Sequence, residues 1–308
     1  MVDTLVRGTV IRAFGWAFDV DVQGEALRCE LRGRLKIPPR ESTCPVCVGD
    51  RVTVCRSSDQ CGTIEQIEDR RSKLSRRAAG RTPFEQVIAA NLDQLVIVAA
   101  AKAPRLRLGL IDRLAVTALN GNMVPAVCIN KMDLSSEPEM ESVVRLYRGL
   151  GYPVLLTSAL TGEGLDALMS QLRGKSSVLV GKSGVGKSSL LNAMEPGLGI
   201  KTQGLMARRD RGRHTTASVA LHPLSSGGYV ADTPGIKELG LWGVDTASLM
   251  SFFPDLTAAV SQCRFRNCAH ISEPGCSLRA AVDSGQVRRE RYGSYLRILS
   301  SLQEPQLH

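Results

Sequence analysis

Short runs in which hydrophobic and polar residues alternate fill the first quarter of the chain. Five such runs lie within residues 1–69, separated by breaks that contain Gly or Asp: RGTVIRAF, AFDVDV, ALRCELRGRLKI, DRVTVC and GTIEQI. Alternation is typical of strands with one buried face, and no long stretch of helical periodicity interrupts these runs. The pattern therefore predicts a small all-β barrel. An OB-fold and an SH3-like barrel are both compatible with it.

A run rich in Arg, Lys and Ser follows at residues 70–82. Its polarity predicts an exposed linker. Five short strands with an early basic face are compatible with oligonucleotide binding. We therefore expect the first domain, residues 1–80, to be an OB-like, RNA-binding β-barrel followed by a basic linker.

The pattern changes near residue 84 to alternating strands and helices. After Gln94, the run QLVIVAAA at 94–101 is continuously apolar, which is typical of a parallel strand buried on both faces. Helix-like and strand-like segments then alternate: LIDRLAVTALNGN, MVPAVCIN, PEMESVVRLYRGLG, PVLLTSA, GLDALMSQLRG and SSVLVGKSG. This series predicts an α/β sheet with right-handed crossovers, which we assign to residues 81–245.

A third pattern begins after residue 245. The segment MSFFPDL leads into a stretch rich in Cys and His at 263–276, and a helix-like tail, SLRAAVDSGQVRRERYGSYLRILSSLQ, follows it. We expect residues 246–308 to form a metal-binding, mainly helical module.

Composition narrows the class of protein. The 308 residues are 43% hydrophobic, with a mean hydropathy of −0.03, as in an ordinary soluble domain. The longest apolar run in the strand-like region, LVIVAAA at 95–101, is far shorter than the ~20 residues of a membrane helix. The N-terminal residues lack the apolar core of a signal peptide. We therefore expect a cytoplasmic protein with no membrane partner, in which disulfides among the nine cysteines are disfavoured.

The net charge of +9 is concentrated in three clusters: RRSKLSRRAAGR (70–81), RRDRGRH (208–214) and RRERYGSYLR (288–297). A single cluster could be a solvated surface. Three clusters in three regions favour a polyanionic partner, most often nucleic acid.

The segment GKSGVGKS at 181–188 fits the pattern of a phosphate-binding loop, with Gly181, Gly186, Lys187 and Ser188 at the required places. It follows a predicted strand and precedes a predicted helix, which is the context that the motif requires. Glycines let backbone N–H groups approach the phosphates, Lys187 reaches the β- and γ-phosphates, and Ser188 ligates Mg²⁺. The expected nucleotide contacts in this loop are Gly181, Lys182, Ser183, Gly184, Val185, Gly186, Lys187, Ser188 and Ser189.

NKMD at 130–133 follows another predicted strand. The Asp133 carboxylate is suited to accept two hydrogen bonds from guanine, whose donor pair adenine lacks, while Asn130 fixes the loop and the Lys131 stem covers the base. TSA at 157–159 ends the next strand, where Ser158 and the Ala159 N–H are expected to meet the guanine oxygen.

Two further segments suit the phosphate end of a nucleotide. In DTPG (232–235), Asp232 is expected to hold Mg²⁺ through water, and the Gly235 N–H to contact the γ-phosphate. In GRHTTAS (212–218), either Thr215 or Thr216 completes the Mg²⁺ shell.

Together these five elements resemble the nucleotide-binding set of the Ras-like GTPases. In those proteins the phosphate loop and DTPG precede NKxD and SA, whereas here they follow them. The resemblance implies a circularly permuted GTPase domain, which a sheet with neighbouring chain ends tolerates.

The position after DTPG is Ile236, where many GTPases carry a Gln that orients the attacking water. Intrinsic hydrolysis is therefore expected to be slow. His214 is the candidate for positioning water, with a surface or packing histidine as the alternative interpretation, and Lys187 is the other expected catalytic residue.

The segment CRFRNCAHISEPGC places Cys263, Cys268, His270 and Cys276 with the spacing of a closed tetrahedral Cys₃His zinc site, which favours one structural Zn²⁺ over a catalytic metal. A second group, Cys44, Cys47, Cys55 and Cys61, is a weaker candidate for a second metal, because Cys55 lies in a predicted strand.

A barrel, a permuted GTPase and a Cys₃His module in this order resemble the YjeQ/RsgA family of bacterial ribosome-biogenesis GTPases. The motifs GRHTT, DTPG, NKMD and CAHISEPGC carry the resemblance. It implies hydrolysis of GTP to GDP, stimulated by the small ribosomal subunit during its late maturation, and binding of ribosomal RNA. We expect a monomer. One alternative is a signalling or translation GTPase that acts on protein partners. The other is a non-enzymatic RNA-binding protein in which bound nucleotide only adjusts the affinity for RNA.

Overall fold

The computed structural model describes residues 4–36, 45–77, 84–200, 219–232 and 241–303. The first part of the chain forms five strands: β1 (Thr4–Phe14), β2 (Ala17–Val22), β3 (Glu25–Leu31), β4 (Arg51–Arg56) and β5 (Cys61–Ile67).

The five strands close into a barrel. β1 pairs antiparallel with both β2 and β4, β2 with β3 and β4 with β5, while β3 and β5 pair in parallel. Inward positions hold a core that includes Val10, Phe18, Leu27 and Ile64, as the alternating pattern requires. This closed five-stranded arrangement confirms the OB-like barrel.

Part of the segment expected to be an exposed linker forms a strand that packs against the protein. Strands β6 (Lys73–Arg77) and β7 (Glu85–Ala90) form an antiparallel hairpin. Leu74 is fully buried and packs into the core of the following domain. The linker prediction was wrong for Lys73–Arg77. This strand has one apolar residue, Leu74, among four polar ones, so its sequence shows no alternating hydrophobic pattern even though the Leu74 side chain is buried.

The middle of the chain forms a parallel sheet with one antiparallel edge. Its strands are β8 (Gln94–Ala100), β9 (Val124–Asn130), β10 (Val154–Leu156), β11 (Lys175–Val180), β12 (Ala220–Pro223) and β13 (Gly228–Asp232). The spatial order is β10-β9-β8-β11-β13-β12, in which the first five are parallel and β12 is antiparallel to β13. The predicted α/β sheet is confirmed.

Helices cover both faces of this sheet. They are α1 (Leu108–Asn120), α2 (Glu137–Gly149), α3 (Leu165–Leu172) and α4 (Lys187–Met194). α1 and α2 share one hydrophobic core with the sheet, and α3 and α4 share another. Because β8 and β9 are buried on both faces, their sequences are apolar apart from Gln94 at the start of β8 and Asn130 at the end of β9.

The barrel is joined to the α/β domain at two places. β1 extends the sheet through a pairing of Arg12 with Ala220 of β12. At the second place, Asn91, which follows β7, donates from Nδ2 to the carbonyl oxygen of Gly49 before β4, at 3.0 Å. In the segment that leaves the barrel, Arg70 donates from Nε and Nη2 to the two oxygens of Asp50, at 2.7 and 2.8 Å, and the Asp50 side chain is fully buried. The Arg70 fork therefore compensates a charge that burial would otherwise disfavour.

The C-terminal module is mainly helical, as predicted. It contains α5 (Pro254–Val260), α6 (Ser277–Asp283) and α7 (Arg289–Gln303), together with a short 3₁₀ helix at Leu249–Phe252. Phe253 and Tyr295 meet edge to face in its core, with ring centroids 5.7 Å apart. Across the described ranges, no helix is both long and apolar enough to cross a membrane.

Candidate nucleotide site

The predicted nucleotide motifs meet at one edge of the sheet. β9 ends at Asn130, β10 is followed by Thr157, and β11 is followed by the loop 181–186, which we call the phosphate loop. These strands run parallel to one another and to β8 in one sheet, so their carboxyl ends lie at the same edge. This is the edge at which open α/β sheets bind ligands.

The phosphate loop is shaped by glycine. Gly184 and Gly186 have φ angles of +83° and +98°, which side chains rarely tolerate. A Cβ at Gly181 would overlap the carbonyl oxygen of Val98, and one at Gly186 would overlap the amide nitrogen of Asn130. α4 begins at Lys187, directly after the loop. The backbone therefore forms a narrow cradle that opens at a helix N-terminus, where N–H groups attract phosphate.

The side chains of the loop divide by exposure. Val185 is buried in the core below the loop, and Ser188 is half-buried in the first turn of α4. Lys187 Nζ donates to the carbonyl oxygen of Gly181 at 2.8 Å. The remaining polar side chains, Lys182, Ser183 and Ser189, are exposed. The ammonium group of Lys187 thus lies at the loop itself, where a phosphate chain would be bound.

Asn130 joins the three loops of the site. Its Nδ2 donates to the carbonyl oxygen of Val185 at 2.9 Å, and its Oδ1 accepts from the Ala159 N–H at 3.1 Å and the Thr157 hydroxyl at 3.3 Å. The side chain is almost fully buried and out of reach of water, so its polar atoms depend on these protein partners for their hydrogen bonds. One amide therefore sets the spacing between the phosphate loop and the two segments predicted to bind the base.

The base-binding segments are joined to each other by Asp133 and Ser158. The hydroxyl of the fully buried Ser158 donates to Asp133 Oδ1 at 2.5 Å, while the Asp133 residue is exposed. Lys131 has a left-handed backbone, with φ of +65°, and its ammonium donates to the carbonyl oxygen of Ala103. In this structure Ser158 and the Ala159 N–H thus bond to neighbouring side chains, and the Asp133 carboxylate is held by one oxygen at an open edge.

The phosphate-side residues from the later segments are described only in part. Asp232 is the last residue of β13, so its backbone reaches the same edge of the sheet. Its side chain lies outside the described part of the structure, as do four whole residues, His214, Thr215, Thr216 and Gly235, together with Ile236.

The four predicted zinc ligands form a second site in the C-terminal module. The ligand atoms of Cys263, Cys268, His270 and Cys276 all lie within 4.8 Å of one another. The Sγ atoms of Cys263 and Cys276 are each 3.5 Å from His270 Nδ1. Three thiols and one imidazole at this spacing are the donor set that tetrahedral zinc prefers.

The loop that carries these ligands is organised by its own hydrogen bonds. The Glu273 carboxylate accepts from the N–H groups of Ala269, Ile271 and Ser272 at 2.7 to 3.0 Å. Backbone donors, its own N–H first and then that of Ala269, lower the pKa of Glu273 to about 2. The Tyr292 hydroxyl of α7 donates to the carbonyl oxygen of His270, whose φ is +62°. These bonds hold His270 in a backbone conformation that is unusual for a non-glycine residue.

The other cysteines form no comparable group among the described residues. Cys47 is buried in the turn before β4, Cys55 lies on β4 and the exposed Cys61 begins β5. Cys44, the remaining member of the predicted second group, lies outside the described ranges.

Sequence reasoning missed two contributors to the site. Thr157 bonds Asn130, and Ala103 accepts from Lys131. The position of Thr157 directly before SA was the only available signal for the first. The contact of Ala103 depends on how the loop after β8 folds back, for which the sequence pattern offers no sign.

Comparison with known proteins identifies the family. Residues 67–242 match the family model of the RsgA GTPase. The chain belongs to this family. It is 41% identical, over 97% of its length and 98% of the relative, to the small ribosomal subunit biogenesis GTPase RsgA of Gemmatimonas aurantiaca. A protein of the same name from Bacteroides fragilis is 36% identical, over 97% of this chain and 98% of the relative.

Two solved structures agree with the assignment. YjeQ from Thermotoga maritima is 33% identical, with a TM-score of 0.78, over 97% of this chain and 99% of that one. YloQ, described as a circularly permuted GTPase, is 31% identical, with a TM-score of 0.72, over 99% of this chain and 97% of that one. This chain is therefore a GTP hydrolase with a permuted nucleotide domain, and its family implies a guanine nucleotide and Mg²⁺.

Proposed function

We propose that this member of the RsgA GTPase family hydrolyses GTP to GDP during late maturation of the small ribosomal subunit, and that this subunit stimulates its turnover. The observation that carries the nucleotide part is the buried Asn130, which ties the phosphate loop to both base-binding segments. The ribosomal part is supported by relatives named for biogenesis of that subunit and by the net charge of +9.

Within the nucleotide site, Lys187 neutralises the β- and γ-phosphates and Ser188 ligates Mg²⁺, which Asp232 holds through water. Asp133 accepts the hydrogen bonds of guanine. Ser158, by donating to one oxygen of Asp133, orients the carboxylate for that role. Mg²⁺ held by these residues would supply positive charge that offsets the negative charge of the phosphates. The other proposed nucleotide contacts are Asn130, Lys131, Ala159, Gly181, Lys182, Ser183, Gly184, Val185, Gly186 and Ser189.

The phosphate-side residues remain assigned by sequence. We propose that Thr215 or Thr216 completes the Mg²⁺ shell, that the Gly235 N–H contacts the γ-phosphate and that His214 positions the attacking water. The Ile236 side chain has no hydrogen-bonding group, which supports slow turnover until a partner binds.

The C-terminal cluster is proposed to hold one structural Zn²⁺. The convergence of Cys263, Cys268, His270 and Cys276 supports this role. The set supplies four ligands, which fill a tetrahedral shell and leave no position for substrate.

Ribosomal RNA is proposed to contact both outer domains. Phe14, the last residue of β1, and Trp16, in the turn before β2, are about half exposed, and the Arg28 guanidinium lies 4.5 Å from the Phe14 ring centroid. In the zinc module, the exposed Phe265 stands beside Arg264. Exposed rings beside guanidinium groups suit bases and phosphates together. We expect the protein to act as a cytoplasmic monomer.

Titration of purified small subunits into a GTP turnover assay tests this function. Turnover should rise and saturate with small subunits, while the same concentration of large subunits should leave it at the basal rate. Lys187→Ala should abolish the stimulated rate. Wild-type turnover that small subunits leave unchanged would refute the ribosomal function, and stimulation by an RNA-free protein fraction would favour a signalling GTPase.

A further inference from the structure

A buried arginine joins the C-terminal module to the nucleotide domain. Arg291 of α7 donates from Nη1 to Oδ1 of Asp112 on α1 at 2.6 Å. Its Nε and Nη2 donate to the two oxygens of Asp255, on α5, at 2.9 and 2.8 Å. The side chains of Arg291 and Asp112 are 2% and 0% exposed. We call these three residues, with Tyr147, the Arg291 network.

Tyr147 of α2 completes the network. Its hydroxyl donates to Asp112 Oδ1 at 2.8 Å, and burial, followed by the charge of Asp112, raises the pKa of Tyr147. Burial alone would lower the pKa of Arg291, but the hydrogen bond to Asp255 and the charge of Asp112 raise it. The guanidinium and the phenol therefore both keep their protons, and the network stays a set of fixed donors and acceptors.

The geometry of the Arg291 ion pairs is more specific than is needed simply to hold the two domains together. A buried ion pair loses hydration, so apolar residues of similar size would hold α1 and α7 together at least as well. The guanidinium fork, however, satisfies three carboxylate oxygens in only one relative placement of α1, α5 and α7. Asp112 Oδ2 is buried and has no hydrogen-bond partner among the described residues, so the Asp112 carboxylate is held through Oδ1 alone. The network therefore fixes where α1 lies.

α1 also forms part of the wall behind the phosphate loop. Ile111, the residue before Asp112, lines a small cavity of about 20 Å³ together with Leu110 and Leu114. Lys182 and Val185 of the phosphate loop line the same cavity. Because a helix moves as a rigid unit, a shift at Asp112 changes the space next to the loop.

We propose that Arg291 and Asp112 are positioning residues for the nucleotide site: through α1 they fix the wall of the phosphate loop, so that engagement of the C-terminal module by the small subunit reaches the bound nucleotide. The identity of that partner rests on the proposed function. The control of the phosphate loop by the Arg291 network is independent of the proposed function.

Three variants distinguish a network that positions the phosphate loop from one that only attaches the C-terminal module to the nucleotide domain. Arg291→Lys keeps the charge but loses the fork. Tyr147→Phe removes one donor from Asp112 and leaves both ion pairs in place. The matched control is Arg289→Lys on the same helix, since its side chain is 79% exposed and meets Asp283 only at 3.9 Å.

The deciding measurement is the release rate of a fluorescent GDP analogue from full-length, zinc-loaded protein without ribosomal subunits. We expect release to become about threefold faster or more in Arg291→Lys and about twofold faster in Tyr147→Phe, with Arg289→Lys at the wild-type rate. Circular dichroism and zinc content identify folded variants. Wild-type release rates in folded Arg291→Lys and Tyr147→Phe would overturn the inference, even if their melting temperatures fell. Should Arg291→Lys not fold, Tyr147→Phe decides alone.

A second measurement adds small subunits. Arg291→Lys should bind them with wild-type affinity, and its stimulated turnover should fall about fivefold or more, because the signal from the module no longer reaches the loop. Full stimulation in this variant would contradict transmission through the network. Absence of stimulation in the wild-type protein would instead refute the proposed function, and the GDP release rates would still decide the inference.

Discussion

Gly186 carries a constraint that the nearby Gly184 does not share. Both have a left-handed backbone, but a Cβ at Gly186 would also overlap the amide of Asn130, whereas one at Gly184 would meet open space. The difference allows backbone strain to be separated from disruption of the site, because the two residues belong to the same loop.

We predict that Gly184→Ala lowers the free energy of unfolding by about 1 kcal/mol, from backbone strain alone. Gly186→Ala should lower it by at least about 1 kcal/mol more and weaken GDP binding more strongly, because the methyl group displaces Asn130. Urea denaturation and GDP titration measure the two effects. Equal losses of stability and affinity in both variants would show that Asn130 does not depend on close approach by the loop.

At the scale of elements, the zinc loop connects a metal site to the packing of α6 and α7. Cys276 directly precedes α6, and Tyr292 of α7 bonds the backbone of His270. Metal binding is therefore coupled to the fold of the module rather than to an isolated loop.

Cys276→Ser should reduce bound zinc from one ion per chain to a small fraction and lower the melting temperature, because a hydroxyl is a poor ligand for zinc. Cys61→Ser is the matched control, since Cys61 is an exposed cysteine of the barrel. Mass spectrometry under native conditions and thermal melting provide the measurements. Two zinc ions in the wild-type chain, or loss of zinc in the control, would show that barrel cysteines also bind metal.

The elements differ in how far the sequence predicted them. β8 and β9 were predictable because burial on both faces requires continuous apolar sequence. β6 was missed because Leu74 alone is buried among charged neighbours. The role of Asn130 in fixing its loop was predicted, but its bond to Val185 depends on strands brought together from distant parts of the chain. Arg291 and Asp112 are 179 residues apart. Arg291 lies in the basic cluster 288–297, whose charge favoured a nucleic-acid partner, but its side chain is buried.

At the scale of the whole molecule, the nucleotide domain is flanked by two domains that are both fixed to it. The barrel extends the central sheet through β1, and the zinc module packs α7 against α1. Exposed aromatic side chains lie on both flanking domains, away from the predicted nucleotide motifs in sequence. We therefore expect RNA binding to be separable by mutation from basal GTP turnover.

Trp16→Ala and Phe265→Ala should each weaken binding to small subunits about tenfold, because stacking of a base on an aromatic ring contributes about 1–3 kcal/mol. Their basal turnover should equal that of the wild-type protein. Leu5→Ala, at another exposed position of the barrel, is the control. Cosedimentation at several salt concentrations measures the affinity. Wild-type affinity in both aromatic variants would place the RNA-binding surface elsewhere.

The most direct test of a guanine-specific, subunit-stimulated hydrolase is the nucleotide preference of Asp133→Asn with saturating small subunits. Xanthosine triphosphate (XTP) carries a carbonyl where GTP carries the exocyclic amine. The Asp133 carboxylate accepts a hydrogen bond from the guanine amine, whereas an Asn amide at this position can donate one to the xanthine carbonyl. We predict that the wild-type protein and the control Asp166→Asn hydrolyse GTP and not ATP. Asp133→Asn should lose GTP turnover and gain XTP turnover by about tenfold or more. An unchanged preference for GTP in folded Asp133→Asn would contradict the account.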